Sequence, residues 1–306
     1  MSSNRNGTGR PRVLVSGGSG FLGGFLLQRL ARSYEVYAGF RSGAPPGSVS
    51  PFELELTDKA SIDAARSLAP SYVVHNAALT KPDLCEDDPN SAHATNVDGT
   101  RLLAEAVQDS CTRFVYCSTD LVFDGARPES AETDVPSPLM VYGRTKLEGE
   151  GAARAVLGER VIVVRLALLY GKGRGRSAGR TFTERMLEEA RQGRAVRLFR
   201  DQYRSPLHVE DAAAGVESAL TWPEAPAVVH LGGPERISRF EMGVQTLEVF
   251  GLDRVLAVAV RMEDVPSRVP RPRDVSFDIR RARSKGFDPL PVREGLLAMR
   301  DASRQG

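Results

Sequence analysis

The feature that most limits the fold of this sequence is a glycine-rich turn near its amino terminus. An apolar run, Val13 to Val15, leads into Gly17, Gly20 and Gly23, and a helical pattern begins at Phe21. Glycines at this spacing between a strand and a helix predict a tight turn, a backbone that approaches a diphosphate closely, and close packing of helix on strand. The helix N-terminus then offers free N–H groups to the phosphates. The turn therefore predicts a dinucleotide-binding unit.

The same alternation of strand and helix continues along the chain. Near-continuous apolar, β-branched runs alternate with segments of helical spacing, which is typical of parallel strands covered by helices on both faces. We therefore predict an α/β fold, namely a doubly wound parallel sheet (Rossmann) with a smaller C-terminal α/β lobe for the substrate. The predicted strands are 13–15, 35–38, 72–75, 114–117 and 161–166, and the predicted helices are 21–31, 60–68, 91–107 and 141–156.

The alternation of apolar runs and helical spacing becomes less regular after Tyr170. It is clear again further along the chain, where a helix is predicted at 209–220 and a strand at 228–231. Pro266, Pro270 and Pro272 predict an extended loop near the C-terminus. The predicted division is a disordered tail (1–10), a dinucleotide-binding domain (11–170, rejoined by 207–231) and a substrate-binding lobe (171–206 and 232–306).

Composition argues against several classes of protein. The 41 basic and 39 acidic residues leave a net charge of only +2, too balanced for binding nucleic acid through the overall field. No apolar run approaches the roughly 20 residues of a membrane helix, and the N-terminus lacks a secretory signal core. We therefore expect a cytoplasmic protein without membrane contact. The three cysteines lack CxxC spacing, so neither a disulfide framework nor a metal site is predicted.

The end of the second predicted strand bears on which dinucleotide is bound. NAD-selective proteins place an acidic residue about 20 positions after the glycine turn, where it accepts hydrogen bonds from the ribose 2′-hydroxyl. Here that acid is absent and Arg41 and Ser42 follow the strand. These side chains predict charge-assisted binding of a 2′-phosphate, and hence NADP(H), with a solvated surface arginine as the alternative.

The candidate catalytic residues are Tyr142 and Lys146, a YxxxK pair one helical turn apart on the same face. An unperturbed tyrosine has a pKa of about 10, and the neighbouring ammonium together with the positive end of a bound nicotinamide is expected to lower it. Ser118 and Thr119 end a predicted strand at the sheet edge where ligands lie. Taken separately, these are a common helix pair and ordinary strand-end hydroxyls. Taken with the glycine turn, they predict a carbonyl reductase in which Thr119 orients the carbonyl and Tyr142 protonates it.

In this order the motifs resemble the extended short-chain dehydrogenase/reductase family over almost the whole chain, and within it the dTDP-4-dehydrorhamnose reductase group. The resemblance is carried by HNAA at 75–78, TNV at 95–97, STDLVFDG at 118–125, YGRTKLEGE at 142–150 and DQYRSP at 201–206.

The resemblance implies a Thr119, Tyr142, Lys146 triad in which Lys146 also holds the nicotinamide ribose. It further implies that Asn96 braces the site and that Leu168 lies near the nicotinamide. Motif and resemblance together predict that the cofactor contacts Gly17, Ser19, Gly20, Phe21, Leu22, Gly23, Arg41, Ser42, Ala77, Ala78, Leu79, Asn96, Tyr142, Lys146 and Leu168. A further matching segment, with His208, Glu210 and Asp211, is interpreted as mainly structural.

The implied activity is hydride transfer from NADPH to a keto group, most simply that of a nucleotide-linked deoxysugar, with Tyr142 as proton donor. Candidates for neutralising a diphosphate are Arg174, Arg176, Arg180 and Arg204, although arginines clustered in a glycine-rich loop are more often solvated and are not counted as site residues. Residues 232–239 and 268–273 look closer to plant-type relatives, so the substrate stays open.

Two alternatives to a reductase remain. The same branch includes the regulatory β subunit of methionine adenosyltransferase, which implies an NADP-binding regulatory subunit that engages an enzyme partner. An epimerase or dehydratase is the other, although Asp120 and Leu121 stand where a dehydratase is expected to carry an Asp-Glu pair. The sequence leaves open whether the chain forms a homodimer.

Overall fold

The computed structural model describes residues 9–42, 49–174 and 181–304, and its strands include every strand that the apolar runs predict. Several run one or two residues longer than predicted, as β2 does. The strands are β1 Arg12–Ser16, β2 Glu35–Phe40, β3 Ser50–Glu53, β4 Tyr72–His75, β5 Arg113–Thr119, β6 Val161–Leu166, β7 Leu169–Tyr170, β8 Val196–Phe199, β9 Tyr203–Arg204, β10 Leu207–His208, β11 Val228–Leu231, β12 Ile237–Ser238 and β13 Ala257–Val260.

A seven-stranded parallel sheet in the order β11-β6-β5-β4-β1-β2-β3 forms the centre of the molecule. The chain starts in the middle of this sheet at β1 and winds outwards in both directions. The direction of winding reverses between β1 and β4, and ligands of doubly wound sheets bind beyond the carboxyl ends of the strands at that point. The predicted doubly wound parallel sheet is confirmed.

Helices cover both faces of the sheet because successive strand residues point to opposite sides. The helices are α1 Phe21–Leu30, α2 Lys59–Ala64, α3 Pro82–Asp87, α4 Pro89–His93, α5 Gly99–Val107, α6 Val141–Leu157, α7 Phe182–Arg191, α8 Val209–Ala219, α9 Arg239–Val249, α10 Arg280–Ser284 and α11 Val292–Arg304. In β1, Val13 and Val15 join the core under α1 and α8, whereas Leu14 joins the core under α2, α5 and α6.

The single helix predicted over 91–107 is wrong in one respect. The structure divides it into α4, a π-helical turn over Ala94–Asp98, and α5. The wide turn contains Asn96, whose amide forms hydrogen bonds inside the protein. The residue that follows the turn, Gly99, lies against the backbone of Leu56, where a Cβ would be 2.6 Å from the Leu56 carbonyl oxygen. Helical periodicity survives such a turn, so the pattern alone does not reveal it.

The shorter strands form small two-stranded sheets. Strands β8 and β13 pair in parallel and β9 and β12 pair antiparallel; α7 and α9 pack on them, and α11 packs on α9. The segment 265–279, which contains the three prolines, has no helix or strand beyond isolated bridges at its end. The predicted domain boundaries remain a proposal. None of the described helices is long and apolar enough to cross a membrane.

Candidate active site

The glycine turn joins β1 to α1 at the reversal point of the sheet. Gly17 has φ +71°, and a Cβ there would lie 2.9 Å from the backbone of Ala77. A Cβ on Gly23 would lie 2.2 Å from the Gly17 carbonyl oxygen, so both positions exclude a side chain. The N-cap of α1 is Gly20, and no side chain caps this helix end. The turn therefore leaves the first N–H groups of α1 available to an anion.

Not every predicted cofactor residue at this turn offers its side chain. Leu22 is 4% exposed and packs in the core, so only its backbone faces the turn, whereas Ser19 and Phe21 are partly exposed. Ser16 ties the turn to the end of β4, because its hydroxyl accepts hydrogen bonds from the Asn76 and Ala77 N–H groups at 3.1 Å. Ala77 is thereby held directly beside the glycine turn.

Asn96 connects the loop after β4 to helix α6. Its Oδ1 accepts from the Leu79 N–H at 2.8 Å, and its Nδ2 donates to the Leu79 carbonyl at 3.2 Å and to Thr145 Oγ1 at 3.0 Å. Thr145 in turn donates to the Tyr142 carbonyl at 3.1 Å. Because these hydrogen bonds engage both the oxygen and the nitrogen of the amide, Asn96 influences a bound cofactor through the Leu79 backbone that it holds.

Tyr142 and Lys146 lie one turn apart near the start of α6, and both are buried. The Lys146 ammonium lies 4.0 Å from the centroid of the Tyr116 ring, whose hydroxyl donates to the Lys146 carbonyl at 3.2 Å. Thr119 is the last residue of β5, and its hydroxyl donates to Asp120 Oδ1 at 3.0 Å. The structure thus brings the three predicted catalytic side chains to one edge of the sheet.

Without a cofactor the pKa of Tyr142 is raised, so the lowering expected from Lys146 and the nicotinamide together stays a prediction for the cofactor-bound protein. Burial raises the pKa of Tyr142 above its ordinary value, the negative charge of Asp120 raises it further, and a hydrogen bond with Thr119 opposes them. Burial also lowers the pKa of Lys146 to about 8. Tyr142 is therefore a neutral phenol at neutral pH, with its proton still in place.

A cavity of about 440 Å³ opens beside Asp120 and Leu121. Among the described residues that line it, Asp120 is the only acidic one, against four arginines. Burial raises the pKa of Asp120, while the positive charge of Arg204, whose Nε lies 4.0 Å from Asp120 Oδ2, opposes that rise. Other residues of the wall are Leu168, Phe182, Arg197, Gln202, Arg239 and Arg271.

The sequence identified only part of this wall. Arg204 and Leu168 were predicted near the substrate or the nicotinamide, and both line the cavity. Arg174 lies elsewhere, over the Phe25 ring and 3.2 Å from Glu210, so its predicted diphosphate role does not belong to this cavity. The other two predicted arginines, Arg176 and Arg180, lie outside the described residues. Sequence reasoning missed Arg197, Arg239, Arg271 and Asp120.

The proline-rich segment 265–273, near the C-terminus of the chain, packs against α3 and the start of α6. Val269 is 1% exposed and packs in a cluster with Tyr142. Its neighbours pair with α3, Arg268 with Asp87 at 2.6 Å and Arg271 with Asp83 at 3.0 Å. The segment therefore packs against the buried cluster that contains Tyr142.

The residues predicted to select the cofactor lie at the end of β2. The Arg41 side chain is 75% exposed, with its Nε 3.8 Å from Glu55 Oε2, and Ser42 is exposed beside it. An exposed guanidinium with one distant carboxylate gains little from that pair, so it is free to turn towards a phosphate. The segment with Asp211, which accepts from the Leu290 N–H at 3.0 Å, is consistent with a structural role.

Comparisons with known proteins agree with this geometry. Methionine adenosyltransferase 2 subunit beta of Xenopus laevis is 30% identical over 304 residues, covering 93% of this chain and 86% of that protein. Among solved structures, dTDP-4-dehydrorhamnose reductase from Bacillus anthracis in complex with NADP has a TM-score of 0.83 at 26% identity, covering 95% of this chain and 98% of that one. MoeE5 in complex with UDP-glucuronic acid and NAD has a TM-score of 0.83 at 28% identity, with 96% and 99% covered.

A family model, the RmlD substrate binding domain, matches residues 11–304. The resemblance predicted from the motifs is therefore confirmed by this match and by the similarity to dTDP-4-dehydrorhamnose reductases. The chain belongs to the RmlD substrate binding domain family.

Proposed function

We propose that the protein is an NADP(H)-dependent reductase that delivers hydride to a keto group of a nucleotide-linked deoxysugar, with Tyr142 as the proton donor. The observation that carries the proposal is the meeting of Thr119, Tyr142 and Lys146 at the carboxyl edge of the sheet, beside an arginine-lined cavity. Such an arrangement suits general-acid chemistry on a carbonyl that is held by an anionic handle.

The residues of the glycine turn fit a dinucleotide. The uncapped N-terminus of α1 at the exposed Gly20 suits a pyrophosphate that lies against the backbone, and Gly17 and Gly23 allow the close backbone contacts that shape the turn. The exposed side chain of Arg41 supports a contact with a 2′-phosphate, and the Bacillus anthracis reductase of similar fold binds NADP. When bound, the dinucleotide supplies the hydride.

Proton transfer follows from the burial of Tyr142. The phenol is neutral at pH 7, so it donates its proton to the carbonyl oxygen as the carbonyl carbon receives hydride, and the product is an alcohol. The positive charge of Lys146, present below about pH 8, stabilises the phenolate that is left. Thr119 orients the carbonyl oxygen once its hydroxyl turns from Asp120 towards the substrate.

The cavity supports a nucleotide-linked substrate. Its volume of about 440 Å³ lies within the usual range for small-molecule sites, and its arginines complement a diphosphate. The similar protein MoeE5 binds UDP-glucuronic acid, a nucleotide sugar.

The test is NADPH oxidation in the presence of a panel of nucleotide keto-sugars that includes a dTDP-4-keto-6-deoxysugar. Tyr142→Phe keeps the ring and removes the donor, so kcat should fall about 10²- to 10⁴-fold while NADPH binding is unchanged. No turnover across the panel, or a Tyr142→Phe variant as fast as the original, would contradict the proposal.

A second candidate is a cofactor-binding regulatory subunit, favoured by the 30% identity to methionine adenosyltransferase 2 subunit beta. The presence of Thr119, Tyr142 and Lys146 together argues for the reductase, because binding alone does not require all three. A stoichiometric partner that co-purifies with the protein, combined with unchanged cellular function in Tyr142→Phe, would reverse this preference.

A further inference from the structure

His75 is the last residue of β4, and both of its ring nitrogens form hydrogen bonds inside the protein. Its Nδ1 lies 2.7 Å from Oγ of Ser16, the last residue of β1, and its Nε2 lies 2.9 Å from Thr100 Oγ1 of α5. All three side chains are fully buried. The imidazole therefore connects the strand that leads into the glycine turn with a helix that packs against α6.

The hydrogen-bond partners of His75 assign its tautomer. Ser16 Oγ already accepts from two backbone N–H groups that follow β4, so its own proton is left for His75 Nδ1. Thr100 donates to the Asn96 carbonyl at 2.7 Å, so its oxygen is left to accept from His75 Nε2. Burial and the positive charge of Lys146 lower the pKa of His75 to about 3. The ring is therefore neutral at pH 7, with its proton on Nε2.

The hydrogen bonds continue from Asn96 to the catalytic helix. The Asn96 amide donates to Thr145 Oγ1 at 3.0 Å, and Thr145 donates to the Tyr142 carbonyl at 3.1 Å. The result is a buried chain of hydrogen bonds that runs through Ser16, His75, Thr100, Asn96 and Thr145 to Tyr142. Its five linking side chains are at most 4% exposed, so water does not compete for these contacts.

Histidine suits the centre of this chain because a neutral imidazole accepts at one nitrogen and donates at the other on a rigid ring. The rings of Phe114 and Tyr116 pack on it, with centroids 5.7 and 5.6 Å away. The Tyr116 ring also contacts the Lys146 ammonium, 4.0 Å from its centroid. The orientation of His75 is therefore fixed by packing as well as by its two hydrogen bonds.

We propose that His75 is a positioning residue that fixes the glycine turn relative to Tyr142 and Lys146 through the buried chain. The bound dinucleotide and the proton donor are thereby held at a constant separation. The inference rests on the proposed function for the reaction that this separation serves. Positioning of this kind acts on the rate as well as on binding, because reacting groups tolerate little misplacement.

The two halves of the chain serve different partners and can be broken separately. Ser16 holds the backbone of Ala77 beside the glycine turn, so loss of its hydroxyl should weaken binding of the dinucleotide. Thr100 connects His75 to Asn96 and from there to α6, so loss of its hydroxyl should lower the rate while the dinucleotide still binds.

The experiment combines a spectroscopic signature with a separation of binding from rate. Nitrogen NMR of the imidazoles reports which ring nitrogen carries the proton, and because the chain has only four histidines, His75→Phe assigns the signal. NADPH binding is followed by fluorescence, and kcat is measured with a nucleotide keto-sugar. The variants are Ser16→Ala, Thr100→Val and His75→Phe. The matched control is His230→Phe, because His230 is equally buried and its Nδ1 lies 3.0 Å from a backbone carbonyl outside the chain.

The His75 signal should show a neutral ring protonated at Nε2 between about pH 5 and pH 9. Ser16→Ala should weaken NADPH binding about tenfold, as expected for the loss of one buried hydrogen bond. Thr100→Val should keep NADPH binding within about twofold and lower kcat about tenfold. His75→Phe should show both losses, and His230→Phe should stay within about twofold of the original protein in both measurements.

A His75 ring protonated at Nδ1, or at both nitrogens, at pH 7 would overturn the inference. So would unchanged NADPH binding in Ser16→Ala, an unchanged kcat in Thr100→Val, or equal losses in His230→Phe. If His75→Phe does not fold, Ser16→Ala and Thr100→Val decide the question, since each lacks a single hydroxyl.

Failure of this inference is distinct from failure of the reductase proposal. Weakened NADPH binding in Ser16→Ala and an Nε2-protonated ring, without turnover of any keto-sugar, support the positioning role at the turn and contradict the reductase. Turnover of a keto-sugar with unchanged NADPH binding in Ser16→Ala and unchanged kcat in Thr100→Val supports the reductase and overturns the role of His75.

Discussion

Lys146 should make the cofactor-free protein less stable at neutral pH, because its ammonium is buried and forms no ion pair with a carboxylate of the described residues. Burial lowers the pKa of Lys146 from 10.5 to about 8. Below pH 8 both the folded and the unfolded chain carry the charge, and only the folded chain holds it out of water. The shift corresponds to about 3 kcal/mol of free energy of unfolding lost at pH 7. Between pH 8 and about 10.5 the folded chain alone releases the proton, so this penalty disappears as the pH rises.

Lys146→Met keeps the length of the side chain and removes the charge. The lost contact of the ammonium with the Tyr116 ring offsets about 1 kcal/mol of the gain. The free energy of unfolding should therefore rise by about 2 kcal/mol at pH 7, and the difference between the two proteins should shrink below about 1 kcal/mol at pH 10. Urea unfolding followed by circular dichroism at both pH values measures it. A variant that is less stable at pH 7, or a difference that does not change with pH, would refute the reasoning.

The same charge should appear in the kinetics. If Lys146 stabilises the phenolate of Tyr142, kcat/KM for reduction should fall above about pH 8 and reach roughly a tenth of its plateau at pH 9. Lys146→Met should lose turnover at every pH while it gains stability. A flat profile between pH 7 and pH 9.5 at saturating NADPH would show that the charge is not used.

Three further changes test the cofactor turn, its selectivity and the buried core. Gly23→Ala places a Cβ 2.2 Å from a carbonyl oxygen of the glycine turn and should abolish NADPH binding in a fluorescence titration, whereas Gly24→Ala, with open space around its Cβ, should bind normally. Arg41→Ala should lower the NADPH over NADH ratio of kcat/KM about tenfold, and an unchanged ratio would contradict its role. Glu150→Gln breaks a bidentate pair with Arg165, in which both side chains are under 5% exposed, and should lower the free energy of unfolding by about 3–5 kcal/mol. A loss below 1 kcal/mol would argue against that pair as a buried charge site.

The residues that local chemistry defines were accessible from the sequence. The glycines of the turn are required by one backbone geometry, and Tyr142 and Lys146 are four apart on a regular helix, so spacing alone predicts their relation. The strands were found because residues covered on both faces form apolar runs. Strand β3 was missed since it is short, mostly exposed and interrupted by Pro51 at the sheet edge.

The residues that distant segments define were not accessible. Arg239 and Phe182 line the same cavity although more than fifty positions separate them, and neither belongs to a local pattern that marks a binding site. The pKa of Tyr142 in the cofactor-free protein was not accessible either, because burial outweighs a neighbouring charge and is set by what packs around the phenol, including the distant Val269.

By itself, the sequence determined the parallel sheet, the phosphate-binding turn and the identity of the candidate acid, because each depends on residue type and spacing within one or two adjacent elements. Only the tertiary structure decided which arginines face the cavity, which of them are already paired, and which protonation states Tyr142 and Lys146 hold. Those properties arise from charge, burial and contact between segments that meet only when the chain is folded.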